Sequence, residues 1–344
     1  MNRTVQSVTT PGAEGGATDT PLVQVRDLKV HFRTGAGRET VKAVDGVGFD
    51  VHPGETFGVI GESGSGKSTL GRALVCLLKP TGGEMLHAGR DPYALPSREF
   101  KRYRRDFQII FQDPNAALDP RMTILRSVRE PLDIVGDQDE AERNRRALEA
   151  IDRVGLRAEF AQRYPHELSG GQKQRVNIAR ALTMRPRLMV CDEVVAALDV
   201  SIQADILNLF SDLQREFGLT YVFITHDLGV VSHVSDRVAV MYLGRFMELG
   251  QAEALAERPL HPYTRALLSS EPVPLPSGMR TDRRIILEGE IPSPVSPPSG
   301  CRFRTRCRYA VDECASRVPE WREVEPRRWV ACHFVEEIEA REAK

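Results

Sequence analysis

Eight residues, Gly61-Glu62-Ser63-Gly64-Ser65-Gly66-Lys67-Ser68, fit the pattern G-x-x-x-x-G-K-S/T, and Thr69 follows. A strand-like apolar run, Thr56 to Ile60, precedes them, and good helix formers follow from Leu70 to Leu78. A loop in that setting is a phosphate cradle. Its glycines let the backbone of Gly61, Ser63, Gly64, Ser65 and Gly66 wrap closely, so several N–H groups point inward. The helix N-terminus adds partial positive charge. Lys67 can reach the β- and γ-phosphates of a nucleotide, and Ser68, followed by Thr69, can ligate Mg²⁺. A second anion site opens a helix at Leu168-Ser169-Gly170-Gly171-Gln172, where a serine and two glycines precede helix formers up to Leu182. In a third stretch, Leu188 to Glu193, an apolar run carries Asp192 and Glu193 to the C-terminal end of a buried strand, where open α/β sheets bind ligands. There Asp192 can hold Mg²⁺, usually through water, and Glu193 can polarise an attacking water.

These groups need a scaffold, and the pattern supplies one. Residues from Leu22 to Ile60 read as strands, with a turn at Thr34 to Glu39. Ile109 to Phe111 reads as a short buried strand. Residues from about 115 to 185 read as mostly helical, with an amphipathic stretch at Asp137 to Arg157. Leu188 to Cys191 and Tyr221 to Thr225 suit buried parallel strands, and Ile202 to Phe217 between them has helical spacing. That alternation implies an α/β parallel sheet. Val238 to Leu243 and Phe246 to Leu249 read as a hairpin. Seven prolines between Pro272 and Pro298 exclude a helix or central strand and mark a linker or extended arm.

Composition removes whole classes of function. The 344 residues carry a formal net charge of −1, which gives no footprint for general nucleic-acid or anionic-membrane binding. No apolar run is long enough to span a bilayer. Met1 to Thr20 lacks the apolar core of a signal peptide and reads as a flexible tail, so the chain is expected to stay in the cytoplasm. Its six cysteines are then not expected to form disulfides.

The order of the motifs resembles the ATPase subunits of ABC transporters: phosphate loop, Phe111-Gln112-Asp113, LSGGQ, Asp192-Glu193, Ala197-Leu198-Asp199, then Thr225-His226-Asp227. The resemblance covers about residues 22 to 335. It implies a P-loop NTPase fold of the α/β class: a RecA-like core, an antiparallel β subdomain, an inserted helical subdomain (about 115–185) and a small Cys-rich C-terminal domain. The ATPase domain would span 21–255 and the C-terminal extension 256–344. It also implies roles. Gln112 would sense Mg²⁺ and contact the membrane partner. Ser169, Gly170, Gly171 and Gln172 would touch the γ-phosphate of ATP held by the opposite subunit, and Asp199 would cross the dimer interface. His226 would hold the γ-phosphate and position Glu193. Phe32 is the candidate for stacking adenine, with a core phenylalanine as the other reading. Val194 and Ala196 stand where proline and serine are usual.

Shorter stretches narrow the resemblance to the oligopeptide/dipeptide/nickel importers. They are Asp119-Pro120-Arg121-Met122-Thr123, Tyr164-Pro165-His166-Glu167, His261-Pro262-Tyr263-Thr264 and Gly300-Cys301-Arg302-Phe303. The Asp119–Thr123 stretch most resembles the second ATPase of the oligopeptide system. Expected partners are a second ATPase, as a paralogue, two transmembrane permeases and an extracellular binding protein. The chain would sit peripherally on the cytoplasmic face of the cell membrane. Import of nickel or another small solute is the alternative, and a soluble non-transport ABC ATPase a further one. Cys301, Cys307, Cys314 and Cys332 are spaced C-x5-C-x6-C-x17-C, without the C-x2-C of common zinc ribbons. By resemblance they would hold a 4Fe–4S cluster, with zinc or unligated thiols as other readings. Cys76 and Cys191 read as buried packing residues. Arg302, Arg304, Arg306 and Arg308 read as a solvated face or partner contact rather than a nucleic-acid patch.

Overall fold

Thr56–Ile60, Leu188–Asp192 and Thr220–Thr225 are buried at every position, as strands covered on both faces must be. They are the centre of a computed structural model that describes residues 20–35, 39–196, 198–270 and 285–342. In chain order the strands are β1 (Val23–Thr34), β2 (Glu39–Val51), β3 (Thr56–Ile60), β4 (Gly82–His87), β5 (Phe107–Ile110), β6 (Leu188–Asp192), β7 (Thr220–Thr225), β8 (Arg237–Tyr242), β9 (Arg245–Gln251), β10 (Arg322–Glu325) and β11 (Arg328–Val330). The main sheet runs β10-β11-β9-β8-β3-β7-β6-β5. Strands β8, β3, β7, β6 and β5 are parallel, and β9, β11 and β10 extend the sheet antiparallel. A separate antiparallel sheet, β2-β1-β4, stands beside it.

Helices α1 (Lys67–Leu74) and α2 (Ser97–Tyr103) precede β5. Helices α3 (Ile124–Val135), α4 (Glu140–Arg153) and α5 (Gly170–Leu182) lie between β5 and β6 in the chain. Helix α4 begins where Asp139 caps it by accepting the Glu142 N–H at 2.8 Å. Helices α6 (Val200–Phe217), α7 (Leu228–Val234), α8 (Ala252–Glu257), α9 (Pro262–Ser269), α10 (Asp312–Ser316) and α11 (Val335–Glu342) complete the chain. The expected β8–β9 hairpin forms, and α6 joins β6 to β7 as the spacing requires. The expected short strand at Ile109–Phe111 is instead Phe107–Ile110, and Phe111 is left exposed past its end. The N-terminal tail, the middle of the Thr34–Glu39 turn, Ala197 and the first part of the proline-rich arm lie outside the described residues. Among the described residues no helix is long and apolar enough to cross a membrane.

Among the described residues the Cys-rich segment does not stand as a separate domain. Strand β11 adds to the edge of β9, pairing Trp329 with Leu249 and Val330 with Glu248. Cys301, Phe303 and Cys314 share one apolar cluster with Ile60, Tyr242 and Tyr263. The reason is area: a segment this short buries too little apolar surface alone, so it completes its core on the ATPase body.

Candidate nucleotide site and cysteine cavity

The loop between β3 and α1 is packed too tightly for side chains at two glycines. Gly61 has φ +153° and Gly66 φ +106°; a Cβ would stand 2.1 Å from the Met241 carbonyl oxygen in the first case and 2.0 Å from that of Ala43 in the second. Close backbone approach is what glycine permits here. Inside the loop Lys67 is buried, and its Nζ donates to the carbonyls of Gly61 at 2.7 Å and Glu62 at 2.9 Å. Burial lowers its pKa, while Glu193, Asp192 and Glu62 pull it back up. The Ser65 hydroxyl is buried and has no hydrogen-bond partner among the described residues. A buried cation with a third donor to spare and an orphaned hydroxyl fit a polyphosphate.

The metal-binding side fits as well. Ser68 Oγ donates to Asp192 Oδ1 at 2.8 Å. Asp192 is buried at the end of β6, and burial raises its pKa, opposed chiefly by the Ser68 hydrogen bond and then by Arg72. A hydroxyl and a buried carboxylate form an oxygen donor set of the kind that Mg²⁺ prefers.

Parallel register brings the next groups together. Ile110 pairs with Cys191 and Asp192 with Ile224, so the residues just past β5, β6 and β7 emerge side by side. They are Gln112, Glu193 and His226. Gln112 Nε2 donates to Glu193 Oε2 at 2.6 Å, and His226 Nδ1 lies 3.5 Å from Glu193 Oε1. Glu193 has φ +49°, and its N–H donates to the Ile224 carbonyl at 2.8 Å. Such a backbone costs a non-glycine residue about 1–3 kcal/mol and is retained where its surroundings enforce it. Val194, next in the chain, is buried in the core, whereas Ala196 is exposed.

Ser169 caps α5. Its Oγ accepts the Gln172 N–H at 3.3 Å, and Gln172 Oε1 accepts the Ser169 N–H at 2.9 Å, a reciprocal cap that needs this spacing. Gly171 lets α5 close on α6, since a Cβ there would meet Ile202 Cγ2 at 2.7 Å. Ser169, Gly170 and Asp199 lie exposed, so they face outward from this chain. Phe32 is half-exposed on β1 opposite Val41, outside the apolar clusters. Val41 is two residues from Ala43, whose carbonyl backs Gly66.

Two features escaped sequence reasoning. Helix α5 grips the segment after Gln112 with one stripe of side chains: Lys173 Nζ donates to Asn115 Oδ1 at 2.8 Å, Asn177 Nδ2 to the Pro114 carbonyl at 3.4 Å and Arg180 Nη1 to the Ala117 carbonyl at 2.7 Å. Spacings of four and three on a helix were the available signal. The second feature corrects the reading of the tail arginines as a solvated face or partner contact for two of the four, while Arg308 stays exposed. Arg302 and Arg306 point inward, with side chains 6% and 7% exposed. Arg302 bonds Asp45 and the Leu243 carbonyl, because an arginine in so confined a place must find acceptors.

All four tail cysteines line one cavity, together with Phe303, Phe334, His261 and His333. Cys301 and Cys314 are buried and Cys307 and Cys332 half-buried. Burial pushes the Cys301, Cys307 and Cys332 thiols up to about 11. As placed, no group of three or more His, Cys, Asp or Glu among the described residues can hold a metal ion. Cys76 and Cys191 are buried packing residues, as expected.

Known proteins place this architecture. Residues 44–196 match the ABC transporter family model, and residues 247–314 match the oligopeptide/dipeptide transporter C-terminal region. The chain is 51% identical over 323 residues to the putative oligopeptide transport ATP-binding protein YkfD of Bacillus subtilis, covering 94% of this chain and 98% of that one. It is 50% identical over 306 residues to the oligopeptide transport ATP-binding protein OppF of Salmonella typhimurium, covering 87% and 92%. Among solved structures, the dimeric post-hydrolysis state of the ATP-binding cassette MJ0796, bound to ADP and Pi, superposes with a TM-score of 0.60 at 34% identity, covering 67% of this chain and 98% of that one. With a phosphate loop, an acidic strand end and relatives this similar along most of its length, the chain belongs to the ABC-transporter ATPases, among those with an oligopeptide/dipeptide transporter C-terminal region.

Proposed function

We propose that this chain is the ATP-hydrolysing subunit of an ABC importer for oligopeptides or dipeptides. The observation that carries the reading is the Glu193 carboxylate, bracketed by Gln112 and His226 beside the Ser68–Asp192 pair. Glu193 is the residue that polarises the attacking water, His226 holds the γ-phosphate, and Lys67 with the loop amides holds the phosphates. Ser68, Gln112 and Asp192 would hold Mg²⁺, which neutralises phosphate charge when bound. The helix start at Ser169 to Gln172, exposed at Ser169 and Gly170, and the exposed Asp199 meet a second ATPase, a paralogue, so that each nucleotide lies between two chains. Contacts to the γ-phosphate favour the closed pair, and their loss on hydrolysis releases it. Gln112, with α5 attached to the segment behind it, passes that motion to two permease subunits. Phe32 offers adenine a stacking surface.

In this reading residues 21–255 form the ATPase domain, 115–185 its helical subdomain and 256–344 the transporter-specific extension. The chain sits on the cytoplasmic face of the membrane and receives peptides that an extracellular binding protein delivers to the permeases. Reconstitution of the chain with its permeases and companion ATPase in proteoliposomes is expected to give ATP-dependent peptide uptake. Uptake of a nickel chelate in place of peptides would shift the substrate class. Failure of the chain to co-purify with any membrane protein would favour a soluble ATPase.

The tail completes the proposal. Four thiols on one cavity are the kind of donor set that a 4Fe–4S cluster takes, and they would have to move from their present placement to hold it. Anaerobically purified protein is expected to contain about four iron and four sulfide per chain. Stoichiometric zinc, or no metal with all thiols titratable, would contradict the cluster.

A further inference from the structure

Glu62 puts a carboxylate inside the phosphate loop, next to the place where several negative charges would bind. Each of its polar groups is engaged. Its N–H donates to Tyr263 Oη at 2.9 Å. Its carbonyl accepts from Lys67 Nζ at 2.9 Å and from the Ser65 N–H at 3.2 Å. Its carboxylate takes a two-point grip from Arg306, with Nη1 to Oε2 at 2.7 Å and Nη2 to Oε1 at 3.1 Å. Planar, bidentate pairs of this kind hold geometry as well as charge.

Both anchors belong to the C-terminal segment. Tyr263 is fully buried, with its ring 4.8 Å from that of Tyr242 and 5.3 Å from that of Phe303. The Arg306 guanidinium lies 5.9 Å from the centre of the Tyr242 ring. Arg306 immediately precedes Cys307, and Phe303 follows Cys301 by two residues; both cysteines line the tail cavity. A chain of direct contacts therefore runs from the cysteine cavity to the phosphate loop.

We propose that Arg306 is a positioning residue for nucleotide binding: it neutralises Glu62 and, with Tyr263, fixes the loop, so that the C-terminal tail sets the loop's affinity for ATP. This rests on reading the loop as an ATP site. If the pair merely fastened the tail, removing either partner would lower stability and leave the affinity of the folded chain alone. If it tunes the loop, removing Arg306 leaves a carboxylate opposing the phosphates, and removing that carboxylate too relieves the opposition.

The test is the Kd of the full chain for Mg-ATP, read by titration calorimetry, with thermal unfolding recorded for each variant. Arg306→Gln is expected to weaken binding about tenfold, equivalent to about 1.4 kcal/mol. Glu62→Gln in that background is expected to return the Kd to within about threefold of the wild type, and Arg306→Lys to fall between, because it keeps charge without the fork. Glu62→Gln alone is expected to bind ATP more tightly than the wild type; this reading remains should Arg306→Gln fail to fold. Unchanged affinity in Arg306→Gln, no recovery in the double variant, or weaker binding in Glu62→Gln alone would each overturn the proposal. A wild-type chain that bound no ATP would refute the ATP site itself, a separate result.

Discussion

Glu193→Gln lowers phosphate release by at least about 10²-fold, the lower end of what a positioned general base contributes, and accumulates a closed, ATP-bound pair of subunits. The substitution keeps the shape of the side chain and leaves the phosphate loop intact, so ATP still binds. What disappears is the carboxylate that Gln112 and His226 hold at 2.6 and 3.5 Å. Without it the water next to the γ-phosphate loses its base, and the closed state, selected by γ-phosphate contacts, persists. Light scattering with ATP should show the dimer, and a phosphate-release assay should show the loss. Near-normal turnover in this variant would refute the assignment.

Lys67→Ala acts earlier. It removes a buried ammonium that the loop keeps beside its own carbonyls at 2.7 and 2.9 Å. One charge-assisted hydrogen bond from its spare donor to phosphate, at about 1.5–3 kcal/mol, predicts at least about tenfold weaker ATP binding. Calorimetry should show this loss, with thermal unfolding of the variant recorded beside it to check the fold. An affinity within about threefold of the wild type would show that the phosphates lie elsewhere. The two variants separate binding from chemistry: one traps the nucleotide and the other excludes it.

The phosphate loop was legible because a short local pattern fixes it. Gly61 and Gly66 answer backbone constraints, and Lys67 and Ser68 answer chemical ones, all within a few residues. The meeting of Gln112, Glu193 and His226 was legible only through the order of motifs. What assembles it is strand register, Ile110 with Cys191 and Asp192 with Ile224, and periodicity does not specify register. The α5 stripe of Lys173, Asn177 and Arg180 was hidden because its partners include backbone carbonyls, which carry no residue signal. The Arg306–Glu62 pair spans 244 residues of sequence, and an arginine among arginines in a polar tail looks like solvated surface. The tail was misjudged as a domain for a related reason. The pairing of Trp329 and Val330 with β9 makes the sheet edge its support, and nothing in its own composition announces a borrowed edge.

The central claim is that this chain grips Mg-ATP in the loop at Gly61 to Thr69 and splits it only when a companion ATPase closes the site. The most direct measurement is phosphate release by the chain alone and by the chain assembled with that companion, with bound nucleotide counted in both. ATP is expected to be bound in both preparations, with rapid phosphate release in the assembly alone. An assembly that neither retained ATP nor released phosphate would contradict the claim.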